Sequence, residues 1–123
     1  SKYTCVDIDP KCEEIGNILT HRSFSFITAD ALSFDVSGFN LVINSSTEHM
    51  DKEKLTSWFH TVPTGTTCVF QNNNNFDVED HINCFPTVGD FEEYICESFG
   101  ILESTVDIMD NSTERYTILC RKM

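Results

Sequence analysis

The sequence predicts an α/β domain, with a mostly parallel sheet, helices on both faces and a closing antiparallel strand pair. Three observations predict it. Hydrophobic periodicity switches repeatedly between that of strands and that of amphipathic helices. Strand-like runs end in acidic turns that lead into the next element. The last two apolar runs are separated only by "DNST", so they pair most simply as a hairpin.

Taken in order, "KYTCVD" reads as a buried strand. "DPKCEEIGNILT" reads as a helix, with Asp9 as N-cap, Pro10 at the first position, and Glu13 and Glu14 near the positive end of the dipole. Cys12, Ile15, Ile18 and Leu19 share one face. "FSFITA" is a second strand, followed by an acidic turn at Asp30 and a short irregular stretch. "FNLVINSS" is a third strand, apolar until Asn44, as expected of one covered on both faces. "DKEKLTSWFHTV" is a helix capped by Asp51, with Leu55, Trp58, Phe59 and Val62 as its inner stripe. "PTGT" turns the chain into "TCVFQ", the fourth strand. "NNNNFDVEDHINCF" is polar and aperiodic, a loop with room for one short strand around His81 to Cys84. "GDFEEYICESFG" is a helix capped by Asp90, with Phe91, Tyr94, Ile95 and Phe99 facing inward. "ILESTVDIM" and "ERYTILCRK" form the final pair. No internal repeat or second domain is visible, so residues 1–123 read as one domain.

Composition narrows the function classes. A chain of 123 residues with 40% hydrophobic residues and ten phenylalanines can bury a core. Eight basic residues against twenty acids, a net charge of −12, argue against nucleic acid or an anionic membrane as partner. The acidity reads as a source of solubility. No window approaches a membrane-spanning length, and no signal peptide is visible ahead of the strand at Tyr3. The six cysteines include no C-x-x-C pair, so all read as reduced thiols of a cytoplasmic protein. Cys5, Cys68 and Cys120 sit in strand-like runs as small hydrophobes. The N-x-[ST] matches at Asn44 and Asn111 read as chance. His21, His60 and His81 lack ligand-like spacing, so no metal site is expected.

Three segments carry a resemblance: "CVDIDP", "ITADALSF" and "FNLVINSSTEHM". In this order they resemble the ends of the second, third and fourth strands of class I S-adenosylmethionine-dependent methyltransferases. The closing antiparallel pair matches as well. The likeness covers nearly the whole chain and implies a Rossmann-like fold with S-adenosylmethionine as cofactor. It implies that Asp7 accepts hydrogen bonds from the ribose hydroxyls, with Ile8 packing on adenine. Asp30 would meet the adenine amino group, Ala31 would offer its amide to the ring, and Leu32 would flank it. The loop from Asn44 would face the methyl group, with Asn44 on the cofactor and Ser45 and Ser46 on the acceptor. Glu48 and His49 would form the catalytic pair, removing the acceptor's proton. Gln71 and Asn72 would line the substrate pocket.

Each of these residues also has a plainer reading. Asp7 and Asp30 serve equally as turn acids, Asp9 chiefly as a helix cap, residues 44–49 as a polar loop, and the asparagine tract as a tolerant surface loop. Trp58 reads as core.

The chain departs from the family's pattern at its N-terminal end. None of its five glycines forms the E/D-x-G-x-G turn that ends the family's first strand. The chain is therefore expected to be N-terminally truncated relative to the family. Without that strand, the strands ending at Asp7 and Asn44 face a gap lined by unpaired backbone groups, each costing about 1–3 kcal/mol if buried. Direct pairing of the two strands, or completion by another chain such as a second copy, is expected to close it. The acid/Asn-Pro-Pro-aromatic pattern of methyltransferases acting on DNA or glutamine amino groups is also missing, which points to a small or peptidic acceptor. The alternative is a non-catalytic methyltransferase-like binding or scaffold module, or a fragment of a longer enzyme.

Overall fold

The computed structural model describes residues 2–19 and 23–123. The end of the first expected helix at Thr20, and His21, lie outside the described residues. The chain divides into two compact units, Ser1–Asp35 and Val36–Met123.

The first unit is a β-α-β element: β1 (Tyr3–Asp7), α1 (Pro10–Leu19) and β2 (Phe24–Thr28). The strands pair in parallel, from Tyr3 opposite Phe24 to Asp7 opposite Thr28. Asp9 caps α1 as expected, its Oδ1 accepting from the Lys11 amide at 2.9 Å. The helix meets the sheet through Gly16, its one buried residue. A Cβ there would lie 2.5 Å from the Phe26 ring, so the absence of a side chain lets the two elements approach. The face bearing Cys12, Ile15, Ile18 and Leu19 is exposed instead of packed, with Leu19 at 77%. Periodicity identified an apolar face, but two short strands offer little surface to cover it.

The second unit holds β3 (Leu41–Asn44), α2 (Lys52–Thr61), β4 (Thr67–Asn73), α3 (Val88–Cys96), β5 (Phe99–Ile108) and β6 (Glu114–Lys122). Its sheet has the order β3-β4-β6-β5, with β3 and β4 parallel and the other pairs antiparallel. Asp51 caps α2 through the Lys54 amide at 3.1 Å. Leu55, Trp58, Phe59 and Val62 are all buried, as their spacing predicts. Phe59 contacts the rings of Phe70, Tyr94 and Phe99, so α2 and α3 pack on the same face of the sheet. Phe91, Ile95, Tyr116 and Ile118 complete that core. The expected turn before β4 has Gly65 at φ 90, a left-handed conformation that favours glycine.

Several expectations are corrected. The single, mostly parallel sheet is instead two sheets, the parallel pair β1-β2 and a second sheet made mixed by β6, which lies antiparallel between β4 and β5. The strands ending at Asp7 and Asn44 do not pair directly: β1 pairs with β2 and β3 with β4, each a parallel partner close in sequence. β3 is not covered on both faces, since Leu41 and Ile43 are 50% and 64% exposed. Thr87, not Asp90, caps α3. Its Oγ1 accepts from the Asp90 amide at 3.1 Å and donates to the Asp90 carboxylate at 2.8 Å, a reciprocal capping arrangement. No strand forms at His81 to Cys84. Cys5 is exposed, whereas Cys68 and Cys120 are buried, and all six cysteines are free thiols. Among the described residues, no helix is long and apolar enough to cross a membrane.

Candidate functional site

In the first unit, parallel pairing brings the C-terminal ends of β1 and β2 to one edge. The Ala29 amide donates to the Asp7 carbonyl at 3.0 Å, and Asp30 follows directly. Asp7 Oδ1 accepts from the Asp9 amide at 2.8 Å. Asp30 Oδ1 accepts from the Leu32 amide at 3.0 Å and so caps a 3-10 turn over Ala31–Ser33. Both acids therefore do turn work while remaining exposed to solvent. The Ala31 amide heads the turn and has no acceptor within it. Ile8 is an exposed apolar side chain beside Asp7. Desolvation, then the Asp7 and Asp9 carboxylates, raise the Cys12 thiol above its usual value, so it stays protonated against Asp7. Exposed carboxylates and an apolar side chain suit a ligand with hydroxyls and a flat heterocycle.

In the second unit, β3 delivers the chain to a 3-10 turn over Thr47–His49. Asn44 Oδ1 accepts from the Ser46 amide at 3.0 Å, and Ser45 and Ser46 are exposed. Thr47 is fully buried. Its hydroxyl donates to the Gln71 carbonyl and accepts from Asn72 Nδ2. Asn83 Nδ2 donates to the Thr47 carbonyl at 3.3 Å, and the Asn83 amide donates to the Glu48 carbonyl at 3.0 Å. This mesh fixes the backbone that carries Glu48 and His49.

The asparagine tract is part of the mesh. Asn72 and Asn73 belong to β4 and are 1% and 7% exposed. Asn72 donates to Thr47 and to the Asn83 carbonyl, and accepts from the Asn73 amide at 2.7 Å. It does not face a substrate, contrary to expectation, because all its polar atoms are used inside the fold. Asn73 Oδ1 accepts from the Asn75 amide at 3.0 Å, and Asn74 Oδ1 accepts from the Glu114 amide at 2.8 Å. Gln71 donates to Thr117 Oγ1 at 3.0 Å on the opposite face of the strand. The tract is a built scaffold; the tolerant-loop reading does not hold for it.

Beside it lies an open cleft of about 620 Å³, whose lining includes Glu48, His49, Asn73, His81, Asp110 and Arg115. His49 Nε2 is 3.4 Å from Glu48 Oε1. The His49 and His81 rings meet edge to face, with centroids 4.7 Å apart. Glu48 is 6% exposed, and its Oε2 is buried with no hydrogen-bond partner. An unpaired buried carboxylate oxygen is costly, on the order of 1–3 kcal/mol or more. Cys84 borders the same group: burial, then Glu48, push its thiol up, and it donates to Asn73 Oδ1 at 3.4 Å. A carboxylate and two imidazoles facing a cleft can take up a proton or hold a cation.

No family model matches the chain, and no curated protein matches it. Solved structures do. A 1,6-didemethyltoxoflavin-N1-methyltransferase from Burkholderia thailandensis, with 1,6-didemethyltoxoflavin and S-adenosylhomocysteine bound, superposes with a TM-score of 0.74 at 12% identity, over 99% of this chain and 61% of that one. A SAM-dependent methyltransferase from Methanosarcina mazei gives 0.71 at 13%, over 98% and 81%. The N-methyltransferase NodS from Bradyrhizobium japonicum, in complex with S-adenosylhomocysteine, gives 0.68 at 13%, over 97% and 65%. The fold is methyltransferase-like. The chain spans less than two thirds of the Burkholderia and Bradyrhizobium proteins.

Within this methyltransferase-like fold, the second unit brings Glu48 and His49 together and adds residues not assigned from sequence: His81, Asn73 and Arg115. No local spacing connects His81 to "EH". The one signal available was a histidine inside a polar loop that follows a strand end.

Proposed function

We propose that this chain binds S-adenosylmethionine and transfers its methyl group to a small or peptidic acceptor. A likeness to solved methyltransferases over 97–99% of the chain supports the reading. The observation that carries it is the placement of Asp7 and Asp30 on one edge of a parallel strand pair, at adjacent strand ends. In dinucleotide folds an acid at such an edge receives the ribose hydroxyls. Asp7 holds the ribose and Ile8 packs on adenine. Asp30 accepts from the adenine amino group, and the Ala31 amide donates to the ring. Asn44 is assigned to the cofactor, and Ser45, Ser46 and Gln71 to the acceptor.

When bound, the cofactor supplies a methyl group on a sulfonium, and transfer is an in-line displacement that depends on alignment. The acceptor's lone pair forms the new bond to the methyl carbon, and the sulfur keeps the electrons of the broken bond. The acceptor's proton passes to the Glu48 and His49 pair of the second unit. Six free thiols support a reducing, cytoplasmic setting. β1 and β3 are edge strands of their sheets, which supports completion by a strand from a second copy.

A second reading has its own observation. Asp7 and Asp30 both accept from local amides, so turn formation alone accounts for them. A non-catalytic binding module then remains. Calorimetric titration with S-adenosylhomocysteine separates the two. Saturable binding that weakens at least tenfold in Asp7→Ala and Asp30→Ala is expected. Absent binding, or binding indifferent to both substitutions, would overturn the cofactor assignment.

A further inference from the structure

We propose that Glu48, His49 and His81 form a binding site for one divalent transition-metal ion. The inference revises the proton step of the reading above, and its geometry rests on the second unit alone. One donor atom from each residue lies within 4.8 Å of the other two.

Two features point to a cation. The first is the tautomeric state of the histidines. His49 Nδ1 lies 3.1 Å from the Asp80 carbonyl oxygen, and His81 Nδ1 lies 2.8 Å from that of Asn75. A carbonyl oxygen only accepts, so both Nδ1 atoms carry hydrogen, and it is Nε2 that each ring can offer as a lone pair. Imidazoles that bind metals are held this way, with the second nitrogen tied to a backbone carbonyl or a carboxylate. The second feature is Glu48, whose buried Oε2 has no partner. Its Oε1 stands 3.4 Å from His49 Nε2, so a neutral ring turns a lone pair toward a carboxylate. Either a proton on Nε2 or a metal cation between the two resolves the conflict, and only the cation also engages His81.

The donor set selects the ion. Two imidazole nitrogens and one carboxylate suit zinc, cobalt, iron or manganese better than magnesium or calcium, which favour all-oxygen sites. Metal–ligand bonds near 2.1 Å set neighbouring donors about 3 Å apart, so donors that now lie within 4.8 Å of one another draw together by up to about 2 Å on binding. Cys84 does not complete a closed four-ligand site. Its thiol faces Asn73 Oδ1 at 3.4 Å and the Asn75 carbonyl at 3.6 Å, two acceptors for one hydrogen, and it does not belong to the donor group. The remaining positions open to the cleft, as in metal sites that act on a substrate. An acceptor hydroxyl or amine bound there would lose its proton to solvent water more readily. His49 would then serve as ligand, and the proton would no longer pass to it.

The test is a calorimetric titration of the EDTA-treated chain with Co2+, followed in parallel by visible absorption, without any methyl donor. One equivalent is expected to saturate the site and develop a ligand-field band. His81→Ala and Glu48→Gln, with folding checked by circular dichroism, are expected to weaken binding at least tenfold, and His60→Ala to leave it unchanged. In the unmodified chain, Zn2+ is expected to protect His49 and His81 from diethyl pyrocarbonate while exposed His60 still reacts. No saturable binding, binding that survives His81→Ala, or an unprotected His81 would overturn the site. S-adenosylhomocysteine affinity, measured on the same sample, separates the two readings. Metal without cofactor binding would defeat only the cofactor reading, and the reverse would defeat only the metal site.

Discussion

Asn72 anchors Thr47: its Nδ2 donates to the Thr47 hydroxyl at 2.8 Å, with both residues buried in the second unit. That bond ties the middle of an asparagine run to the turn that carries Glu48 and His49. It makes a low-complexity tract a fixed part of the candidate site.

Truncating Asn72 tests this directly. Asn72→Ala leaves the Asn83 carbonyl and the Asn73 amide each short of a partner. The expected loss is about 1–3 kcal/mol of stability. Urea unfolding followed by the fluorescence of Trp58, the only tryptophan, reads the second unit. A change below about 0.5 kcal/mol, the level of an ordinary surface substitution, would contradict the anchoring role.

Gly16 makes the matching prediction in the first unit. Alanine is the better helix former by about 1 kcal/mol. Its Cβ would nonetheless lie 2.5 Å from Phe26 ring carbons, and overpacking costs about 1–3 kcal/mol. Gly16→Ala is therefore expected to speed amide exchange in β1 and β2. Pairing it with Phe26→Ala should recover part of the protection. Slower exchange in the single variant would show that helix propensity wins over the close approach.

The buried thiols predict an alkaline limit. Burial pushes Cys68 from 9.0 to about 11, with Lys122 opposing, and burial followed by Cys68 and Cys96 pushes Cys120 to about 12. The folded values exceed the unfolded ones, so the stability these thiols contribute is full below about pH 9. It is lost as pH rises through 11 to 12. Melting temperatures from neutral to strongly alkaline pH should fall in that window, less steeply in a Cys68→Ala/Cys120→Ala variant. At pH 8, Ellman's reagent should reach Cys5 and Cys96 promptly and leave Cys68 and Cys120 unmodified until the protein unfolds.

Much of the fold was legible because local rules act locally. Pro10 after Asp9 set the start of α1, and the Leu55, Trp58, Phe59 and Val62 stripe described its own burial. The sites that escaped depend on chain return. His81 meets His49 only because the loop after β4 folds back, with the Asn83 amide donating to the Glu48 carbonyl. Sequence spacing does not encode that closure. The exposed face of α1 failed for a different reason, since periodicity reports which face is apolar and not whether anything covers it. Thr87 was missed as a cap although Asp90 stands at the capping-box spacing, because the more acidic residue drew the assignment. Asn72 read as surface because its composition is polar, whereas complete hydrogen bonding makes it a stable core residue.

The central claim is that the strand-end turns of the first unit receive the cofactor. Amide chemical shifts recorded during addition of S-adenosylhomocysteine to the labelled chain test it most directly. The account predicts saturable shifts of the amides from Asp7 to Asp9 and from Asp30 to Leu32, with the C-terminal end of α2 around His60 unmoved. Unchanged resonances in both turns at saturating ligand would contradict it.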